Sequence, residues 1–355
     1  MVQPIKEVIK SEYIKCAQDP AYFMKKYCLI QHPIKGKIPF DLYEFQEKTV
    51  SEFQKERFNI ILKARQLGIS TLSAGYSLWM MTFQQDKNIL VIATKQEVAK
   101  NLVTKVRVMH ANLPSWLKQR CVEDNKLNLR YRNGSQIKAV SSGPEAARSE
   151  ALSLLILDEA AFIDKIDDIW TAAQSTLTTG GQCIALSTPN GVGNWFHKTW
   201  VEAEEGRGMF NFVKLHWSAH PDREQDWRNE QDVLLGPASA AQECDCDFLT
   251  SGTSVIDATL LDNLRTRCVQ DPMEKRGVDS NCWVWEPPNY SKSYVVSADV
   301  GRGDSADYSA FHVIDVDNLE QVAEYKGKIN TKDFGNMLVS IATEYNDAIL
   351  IIENN

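Results

Sequence analysis

The stretch KARQLGIST, residues 63–71, follows the short apolar run NIILK (59–63) and precedes STLSAGYSLWMMTF (70–83), whose apolar residues recur at helical spacing. This pattern predicts a buried strand, a glycine-containing loop and a helix, in that order. A loop in this setting can hold phosphates, because its backbone amides and the helix N-terminus present N–H groups to an anion. The three elements therefore indicate a nucleotide site on an α/β fold.

The loop departs from the standard phosphate-binding pattern G-x-x-x-x-G-K-[ST] in the place of its lysine. Gly68 is followed by Ile69, and Lys63 occupies the position five before Gly68, where the pattern has glycine. Because such a loop wraps around its phosphates, Lys63 and Arg65 could reach back over them from the strand side. Ser70 stands where a Mg²⁺-binding hydroxyl belongs. The cation therefore need not come from position 69.

Strands and helices continue to alternate after the loop. NILVIAT (88–94), LSLLILDEAAF (152–162) and QCIALSTPNG (182–191) are predicted strands, and residues 95–113 form a predicted amphipathic helix. Residues 128–140 contain NLRYR, NGS and QIKAV, which predict a hairpin with an Asn-Gly turn. This alternation predicts an α/β domain with a largely parallel sheet.

Two adjacent carboxylates, Asp158 and Glu159, stand at the end of the apolar run LLIL. One carboxylate can hold a hydrated Mg²⁺, and the next can orient and deprotonate an attacking water. In isolation, a solvated turn explains the pair equally well. Their position downstream of a phosphate loop favours the functional interpretation.

A weaker signal precedes the loop strand in FDLYEFQ (40–46). The amide of Gln46 offers both a donor and an acceptor to an adenine edge, and Phe45 could stack on the base. Core packing of a helix is the alternative interpretation, because an aromatic residue followed by glutamine is common on helices.

Length and composition are those of an ordinary soluble globular protein. The 355 residues allow two domains, with 43% hydrophobic and 24% charged residues. No apolar run approaches the roughly 18–20 residues that span a bilayer, and residues 1–15 lack a signal-peptide core. We therefore expect a cytoplasmic protein. Cys244 and Cys246 have no second pair at zinc-ligand spacing, so reduced structural thiols are expected.

The net charge of −8 gives the whole molecule no electrostatic attraction to nucleic acid. The segment 101–138 differs, because its eight Lys or Arg outnumber Glu123 and Asp124. It is either a phosphate-contacting face or a solvated helix and hairpin, and charge alone does not separate the two. The basic residues are Lys105, Arg107, Lys118, Arg120, Lys126, Arg130, Arg132 and Lys138.

Taken in order, these motifs resemble the large terminase subunit of tailed bacteriophages, a DNA-packaging motor. The resemblance covers nearly the whole chain. The matching features are F-x-L-x-x-F-Q, A-R-Q-L-G-x-[ST], an arginine within SGPEAARSEA, LILDEAAF, STPNG and an acidic strand. The resemblance implies an α/β fold, a P-loop ATPase of the ASCE type with a mainly parallel sheet. An RNase H-like nuclease domain, incomplete here, would follow it.

The resemblance also implies roles for individual residues. Asp158 matches the family's magnesium ligand and Glu159 its catalytic base. Ser187 and Thr188, before Pro-Asn-Gly, match a coupling motif that senses the nucleotide; a plain strand-ending turn is the alternative. Arg148 resembles an arginine that in some terminases reaches the γ-phosphate of a neighbouring subunit, although a surface or DNA-contacting arginine is equally reasonable.

Gln46 and Phe45 match the family's adenine-recognition motif. Many members keep a lysine at the position of Ile69, but some, including lambda-type terminases, carry a deviant lysine where Lys63 stands. We therefore expect a working ATP and Mg²⁺ site with Lys63 as the main phosphate cation and Arg65 as the alternative. The other expected nucleotide-binding residues are Gln66, Gly68, Ser70 and Thr71.

SADVGRGDSADYSAFHVIDV (297–316) resembles the first hairpin of the terminase nuclease. Asp299 and Asp307 match acidic positions there, and Glu353 matches a carboxylate on a later strand. Clustered carboxylates of this kind could hold two Mg²⁺ or Mn²⁺ ions for phosphodiester cleavage. The family's third acidic residue lies further downstream than Asn355, so we expect no DNA cleavage by this chain alone.

Four parts are predicted along the chain. They are an N-terminal helical part with the adenine motif (1–58), a P-loop ATPase core (59–250), a linker or subdomain (251–290) and the start of a truncated nuclease domain (291–355).

The resemblance implies partners: double-stranded DNA, a portal protein, a small terminase subunit and further copies of the chain in a ring, with no membrane. It places the protein in the host cytoplasm, transiently on the procapsid portal and outside the mature virion. A helicase-like ATPase is one alternative, although it does not explain the acidic hairpin. The other is a catalytically silent subunit that docks on a portal, for which Ile69 is the best support.

Overall fold

A computed structural model gives the architecture of the chain. It describes residues 5–143, 151–178, 180–248, 267–277, 279–301 and 308–353. The chain divides into two units, Met1–Thr259 and Leu260–Asn355, and each unit has its own cluster of buried apolar side chains. No helix among the described residues is long and apolar enough to cross a membrane.

The first unit surrounds a large sheet with helices. Its described helices are α1 (Ile5–Gln18), α2 (Pro20–Tyr27), α3 (Glu44–Lys55), α4 (Ile69–Phe83), α5 (Gln96–Ala111), α6 (Ile166–Leu177), α7 (Trp195–Glu204), α8 (Gln225–Leu235) and α9 (Pro237–Ala240). Its described strands are β1 (Leu29–His32), β2 (Gly36–Pro39), β3 (Phe58–Lys63), β4 (Asn88–Ala93), β5 (Cys121–Asp124), β6 (Asn128–Tyr131), β7 (Gln136–Val140), β8 (Leu154–Asp158), β9 (Gln182–Ser187) and β10 (Asn211–Leu215).

The main sheet has the strand order β10-β3-β9-β8-β4-β7-β6-β5. Strands β10 through β7 in that order are mutually parallel, and β6 and β5 add an antiparallel edge. The central strands are apolar on both faces, as a parallel sheet covered by helices requires; all five residues of β8 are buried. Because β9 lies between β3 and β8, the loop strand and the acidic strand are not neighbours. This is the arrangement of the ASCE class, and the predicted α/β fold class is confirmed.

The local predictions around the loop are also confirmed, since strand β3 is followed by helix α4. The predicted Asn-Gly hairpin is the pair β6–β7, with Arg130 opposite Gln136 and Gly134 at a φ of 85°. In this first unit, the hairpin β1–β2 and the strand β10 were missed. The stretch 5–58 was expected to be mostly helical, but it contains the hairpin β1–β2, whose residues are half-buried or exposed and show no strict alternation. Strand β10 was missed because it also lies at a sheet edge with little apolar signal.

The second unit is built on a six-stranded sheet. Its described elements are β11 (Glu274–Arg276), β12 (Cys282–Val284), β13 (Tyr294–Asp299), β14 (Ser309–Asp315), β15 (Glu320–Gly327), α10 (Thr331–Glu344) and β16 (Ile349–Ile352). The strand order is β11-β12-β15-β14-β13-β16. Strands β13, β14 and β15 form an antiparallel meander, and β16 returns parallel to β13 after the helix α10. This strand order is compatible with the RNase H-like fold predicted for this part of the chain, which stays a prediction.

The region 251–290, predicted as a linker or subdomain, contributes structure to this second sheet. Strand β12 pairs with β15, and β11 pairs with β12. Each of these strands has only three residues, so neither carries enough alternation to be recognised in the sequence.

The core of the main sheet can be tested at Ile156, which lies on β8 and is completely buried. We expect Ile156→Ala to lower the free energy of unfolding by about 2–5 kcal/mol, because the change leaves a cavity between sheet and helices. Ile34, at 90% exposure, is the matched control, and Ile34→Ala should change stability by no more than about 0.5 kcal/mol. Denaturant unfolding of both variants measures the difference. Equal losses would contradict this placement of the core.

Candidate nucleotide-binding site

The site lies at the carboxyl edge of the parallel sheet, where β3, β9 and β8 end side by side. Lys63 Nζ, from the end of β3, lies 2.9 Å from Glu159 Oε1, directly after β8. Their strands are separated by β9, so the pair spans two strand spacings, or about 9–10 Å of sheet. The last residue of β9, Ser187, is small and fully buried. The lysine is only 5% exposed.

Asp158 is the last residue of β8, and its Oδ1 accepts a hydrogen bond of 3.0 Å from Ser70 Oγ at the start of α4. Burial, with a further contribution from the charge of Glu159, raises the pKa of the Asp158 carboxyl, while Lys63 and Ser70 oppose that rise. A buried carboxylate beside a second carboxylate and a serine hydroxyl is an oxygen donor set that suits Mg²⁺. The residues present therefore fit the implied ion.

Lys105 is a second cation near these residues, and its place in the site was missed in the sequence. It lies half-buried on α5, the helix that follows β4. Burial lowers the pKa of its ammonium group; the charge of Asp158 opposes this effect, and Lys63 adds to it. Sequence analysis had counted Lys105 among the cations of a basic segment. Its position between Val103 and Val106 on the apolar face of α5 was the available signal.

The loop between β3 and α4 is held in a special backbone conformation. Gln66 has a φ of 59° and Gly68 a φ of 74°, both in the left-handed region. A Cβ at Gly68 would lie 2.8 Å from Gln46 Nε2, so the position favours glycine for space as well as for conformation. Ile69, where a standard loop has its lysine, is 1% exposed and packs in the core.

Lys63 and Arg65 face different environments. The side chain of Lys63 is 6% exposed and points to the acid pair, whereas that of Arg65 is 66% exposed and pairs with Glu243 at 3.3 Å. The predicted nucleotide-binding residues of this stretch follow one another along the chain, from the end of β3 through the loop to the first turn of α4. They are Lys63, Arg65, Gln66, Gly68, Ser70 and Thr71.

Gln46 lies directly beneath the loop. Its Oε1 accepts a hydrogen bond from Tyr43 N at 3.1 Å, and its Nε2 donates to Leu67 O at 2.9 Å. It is 4% exposed, so here its amide caps α3 and supports the loop. Phe45 is half-buried and stacks on Tyr43, with ring centroids 5.8 Å apart. An adenine contact by Gln46 and Phe45 stays a prediction.

The predicted coupling motif is bonded to the turn that follows the acid pair. Ser187 Oγ accepts a hydrogen bond of 3.1 Å from Ala161 N, and Asn190 Nδ2 donates to Ala161 O at 3.0 Å. Thr188 is buried beside them. Glu159 itself has a φ of 56° and a ψ of 48°, a left-handed conformation that costs free energy in a residue other than glycine.

In the second unit, Asp299 and Glu353 lie at neighbouring strand ends. Strands β13 and β16 are parallel with Ala298 opposite Ile352, and Glu353 N donates to Ala298 O at 3.0 Å. Asp299 and Glu353 thus directly follow a pair of residues that lie in register on neighbouring strands. Asp307, like Arg148, lies outside the described residues. The residues that the structure describes contain no cluster of three or more His, Cys, Asp or Glu side chains that could hold a metal ion.

The basic segment is mostly solvent-facing. Arg107 pairs with Asp124 at 2.5 Å, and Lys138 is half-buried on β7. Arg120 and Arg132 lie together, since Arg132 N donates to Arg120 O. The exposed cations of this segment are Lys118, Arg120, Lys126, Arg130 and Arg132.

This fold and this arrangement of loop, acid pair and coupling turn define a P-loop protein of the ASCE class. The model of one family, the N-terminal part of the T4likevirus-type terminase large subunit, matches residues 60–262. That match exceeds half of the chain, and the chain belongs to this family, as the sequence resemblance indicated.

Individual relatives agree with this assignment. The terminase large subunit of Thermus phage G20c is 29% identical over 191 residues, which cover 49% of this chain and 36% of that protein. The probable terminase large subunit gp28 of Escherichia phage Mu is 28% identical over 245 residues, covering 58% and 43%. The chain therefore spans less than half the length of these relatives. The solved large terminase of bacteriophage HK97 shares the fold, with a TM-score of 0.57 and 14% identity over 95% of this chain and 74% of that one.

Because the pKa of Asp158 is raised, the protein without ligand and its Asp158→Asn variant should differ in stability. Ionisation of Asp158 in the folded state lowers the free energy of unfolding as the pH rises through the raised pKa. Below the ordinary carboxyl pKa the group is protonated in both states, and there is no such effect. We therefore expect Asp158→Asn to be more stable than the unaltered protein near pH 7.5. A gain of about 1 kcal/mol would raise Tm by about 2–4 °C in a domain of this size.

Thermal unfolding without Mg²⁺ between pH 4 and pH 8 measures this difference. The gain should shrink as the pH falls toward the ordinary pKa of a carboxyl. Asp167→Asn, at an exposed position on α6, is the matched control and should show no gain. A gain that is independent of pH would contradict the assignment to ionised Asp158.

Proposed function

We propose that this protein is an ATP-hydrolysing motor subunit that moves double-stranded viral DNA into a procapsid. The observation that carries the proposal is the convergence of Lys63, Ser70, Asp158 and Glu159 beside a phosphate-type loop at one edge of a parallel sheet. Membership of the terminase large subunit family supports the choice of DNA packaging as the work that hydrolysis drives.

Each residue of this group has a role that its position supports. Ser70 and Asp158 would hold Mg²⁺ with the nucleotide, and that ion neutralises charge on the phosphates when bound. Lys63 contacts Glu159 and would also reach the phosphates, so the same ammonium group would bind either the carboxylate or the phosphate oxygens. When phosphate oxygens compete for Lys63, Glu159 becomes free to accept a proton from the attacking water.

The hydrogen bonds around Ala161 support a route for mechanical coupling. Glu159 is two residues before Ala161, which is bonded on both sides to the end of β9 through Ser187 and Asn190. Movement of Glu159 during the reaction would therefore displace the turn that leads into α7. Thr188 lies between these two contacts and would take part in the same displacement.

The DNA-facing surface is proposed to be the exposed basic segment around Arg120 and Arg132. Lys37 and Lys118 extend it, because their Nζ atoms contact the neighbouring residues Asn112 and Ala111 at the end of α5. A motor must accept any sequence, so contacts with backbone phosphates are the appropriate kind.

The further partners follow from family membership and are proposals. They are a portal protein, a small terminase subunit and other copies of this chain in a ring, where Arg148 would reach a neighbouring ATP site. The protein would act in the host cytoplasm, on the procapsid portal, and would be absent from the mature virion. The carboxylates Asp299 and Glu353 support a metal-dependent endonuclease function with Mg²⁺ or Mn²⁺ for the second unit.

A silent portal-docking subunit is the alternative that the site geometry opposes. Ile69 was its best support, but Ile69 is a core residue while Lys63 supplies a cation from the other end of the loop. A helicase-like ATPase would share this nucleotide site. It would not require these carboxylates of the second unit.

Hydrolysis of ATP tests the proposed chemistry. We expect Mg²⁺-dependent turnover by the unaltered chain at high protein concentration, where rings can form. Glu159→Gln should lower kcat by about 100-fold or more while ATP still binds, because the base is lost and the phosphate contacts stay. Lys63→Met should weaken ATP binding as well as turnover.

Glu202→Gln and Lys198→Met, two exposed positions on α7, are the matched controls and should leave both quantities unchanged. If the unaltered chain neither binds nor hydrolyses ATP, the silent-subunit alternative replaces the proposal. If Lys63→Met keeps normal affinity, Arg65 is the better candidate for the phosphate cation.

Salt-dependent binding tests the DNA-facing surface. Replacing both Arg120 and Arg132 by alanine removes two phosphate contacts, so the slope of log K against log salt should fall in magnitude by about 2. Binding of duplex DNA of unrelated sequences, measured at several salt concentrations, gives the slope. Arg207→Ala, at an exposed arginine before β10, is the control. An unchanged slope in the double variant would place the DNA elsewhere.

A further inference from the structure

We infer that Arg223 is a positioning residue of the nucleotide site, which orients the amides of the phosphate loop from the side opposite the phosphates. The inference rests on the proposed function, because it assumes that the loop binds a nucleotide. Arg223 does not belong to any motif of the sequence analysis, and it lies on the segment between β10 and α8.

The contacts of Arg223 with the loop are directed at backbone carbonyls. Its Nη1 donates to Arg65 O at 3.0 Å, and its Nη2 donates to Gln66 O at 3.3 Å. The next carbonyl, Leu67 O, accepts from Gln46 Nε2 at 2.9 Å. Three successive loop carbonyls are therefore bound by side-chain donors that come from two different parts of the chain.

Because the peptide group is planar, the contacts of the loop carbonyls also determine where the loop N–H groups point. In a trans peptide the C=O of one residue and the N–H of the next point to opposite sides. With the carbonyls of residues 65 and 66 turned toward Arg223, the N–H groups of Gln66 and Leu67 point away from it. Within the described part of the chain, the N–H groups of residues 66–68 have no hydrogen-bond partner. Free amides directed to one side of a loop are what a phosphate requires.

Arg223 is itself held firmly. Its guanidinium lies over the ring of Trp227, 4.2 Å from the centroid, and its backbone N–H donates to His220 O at 3.1 Å. A planar guanidinium can bond two carbonyls at once, whereas a lysine ammonium acts as a single point charge. The left-handed Gln66 costs free energy on its own, and the two bonds from Arg223 stabilise it.

Nucleotide affinities of the Arg223 variants test this inference. Equilibrium binding of fluorescent ADP and fluorescent ATPγS with Mg²⁺ would be measured for the unaltered chain, Arg223→Met, Arg223→Lys and the control Arg207→Met. Methionine keeps an apolar stem over Trp227 but donates no hydrogen bond. We expect Arg223→Met to lose about tenfold in affinity for both ligands, Arg223→Lys to lose less, and Arg207→Met to match the unaltered chain.

The comparison of the two ligands separates the possible roles. An equal loss for ADP and ATPγS supports positioning, because the loop amides would hold phosphates that both ligands carry. A loss confined to ATPγS would mean that Arg223 touches the γ-phosphate directly, and would overturn the inference. Thermal unfolding without nucleotide completes the test: a lower Tm with unchanged affinities would show a purely structural role and also overturn it.

Failure of the proposed function gives a different result. If the unaltered chain binds neither ligand, both the proposed function and the proposed role of Arg223 are wrong. If it binds both ligands and Arg223→Met binds them equally well, only the role of Arg223 falls.

Discussion

The nucleotide site depends on an ion pair between Lys63 and Glu159, made over the strand that separates their own strands. The pair joins the ends of β3 and β8 although β9 lies between these two strands. Asp158 lies buried beside Glu159, which raises the pKa of Asp158 and makes a bound cation favourable there. The order of the strands and the placement of Lys63, Asp158 and Glu159 at their ends together define the site.

The loop shows how a strained backbone is kept in place. Gln66 and Gly68 have left-handed conformations, and the carbonyls of three successive loop residues are bound by Gln46 and Arg223. Glu243 adds a hydrogen bond from Arg65 N and an ion pair with its side chain. These supports come from α3, from the segment before α8 and from the segment after α9. The loop is therefore shaped by parts of the chain that are far from it in sequence.

Sequence analysis succeeded where a signal is local. The strand, loop and helix around Gly68 were predictable because a buried run, a glycine and a helical period are adjacent in the chain. The missed elements lack such signals: β1, β2 and β10 lie at sheet edges or in a small hairpin, and β11 and β12 are too short to show alternation. Asp307 and Arg148 were named from their motifs and remain predictions, since both lie outside the described residues.

The α/β class and the family could be read from the amino-acid sequence, because apolar periodicity and motif order are properties of the chain; the roles of the individual site residues stay predictions. Only the tertiary structure decided which cation meets the acid pair. Lys63 and Arg65 are two residues apart and both cationic, yet one is buried against Glu159 and the other is exposed beside Glu243. It also decided that Gln46 supports the loop and that Arg223 joins it, since hydrogen bonds between distant segments depend on packing, which no local pattern encodes.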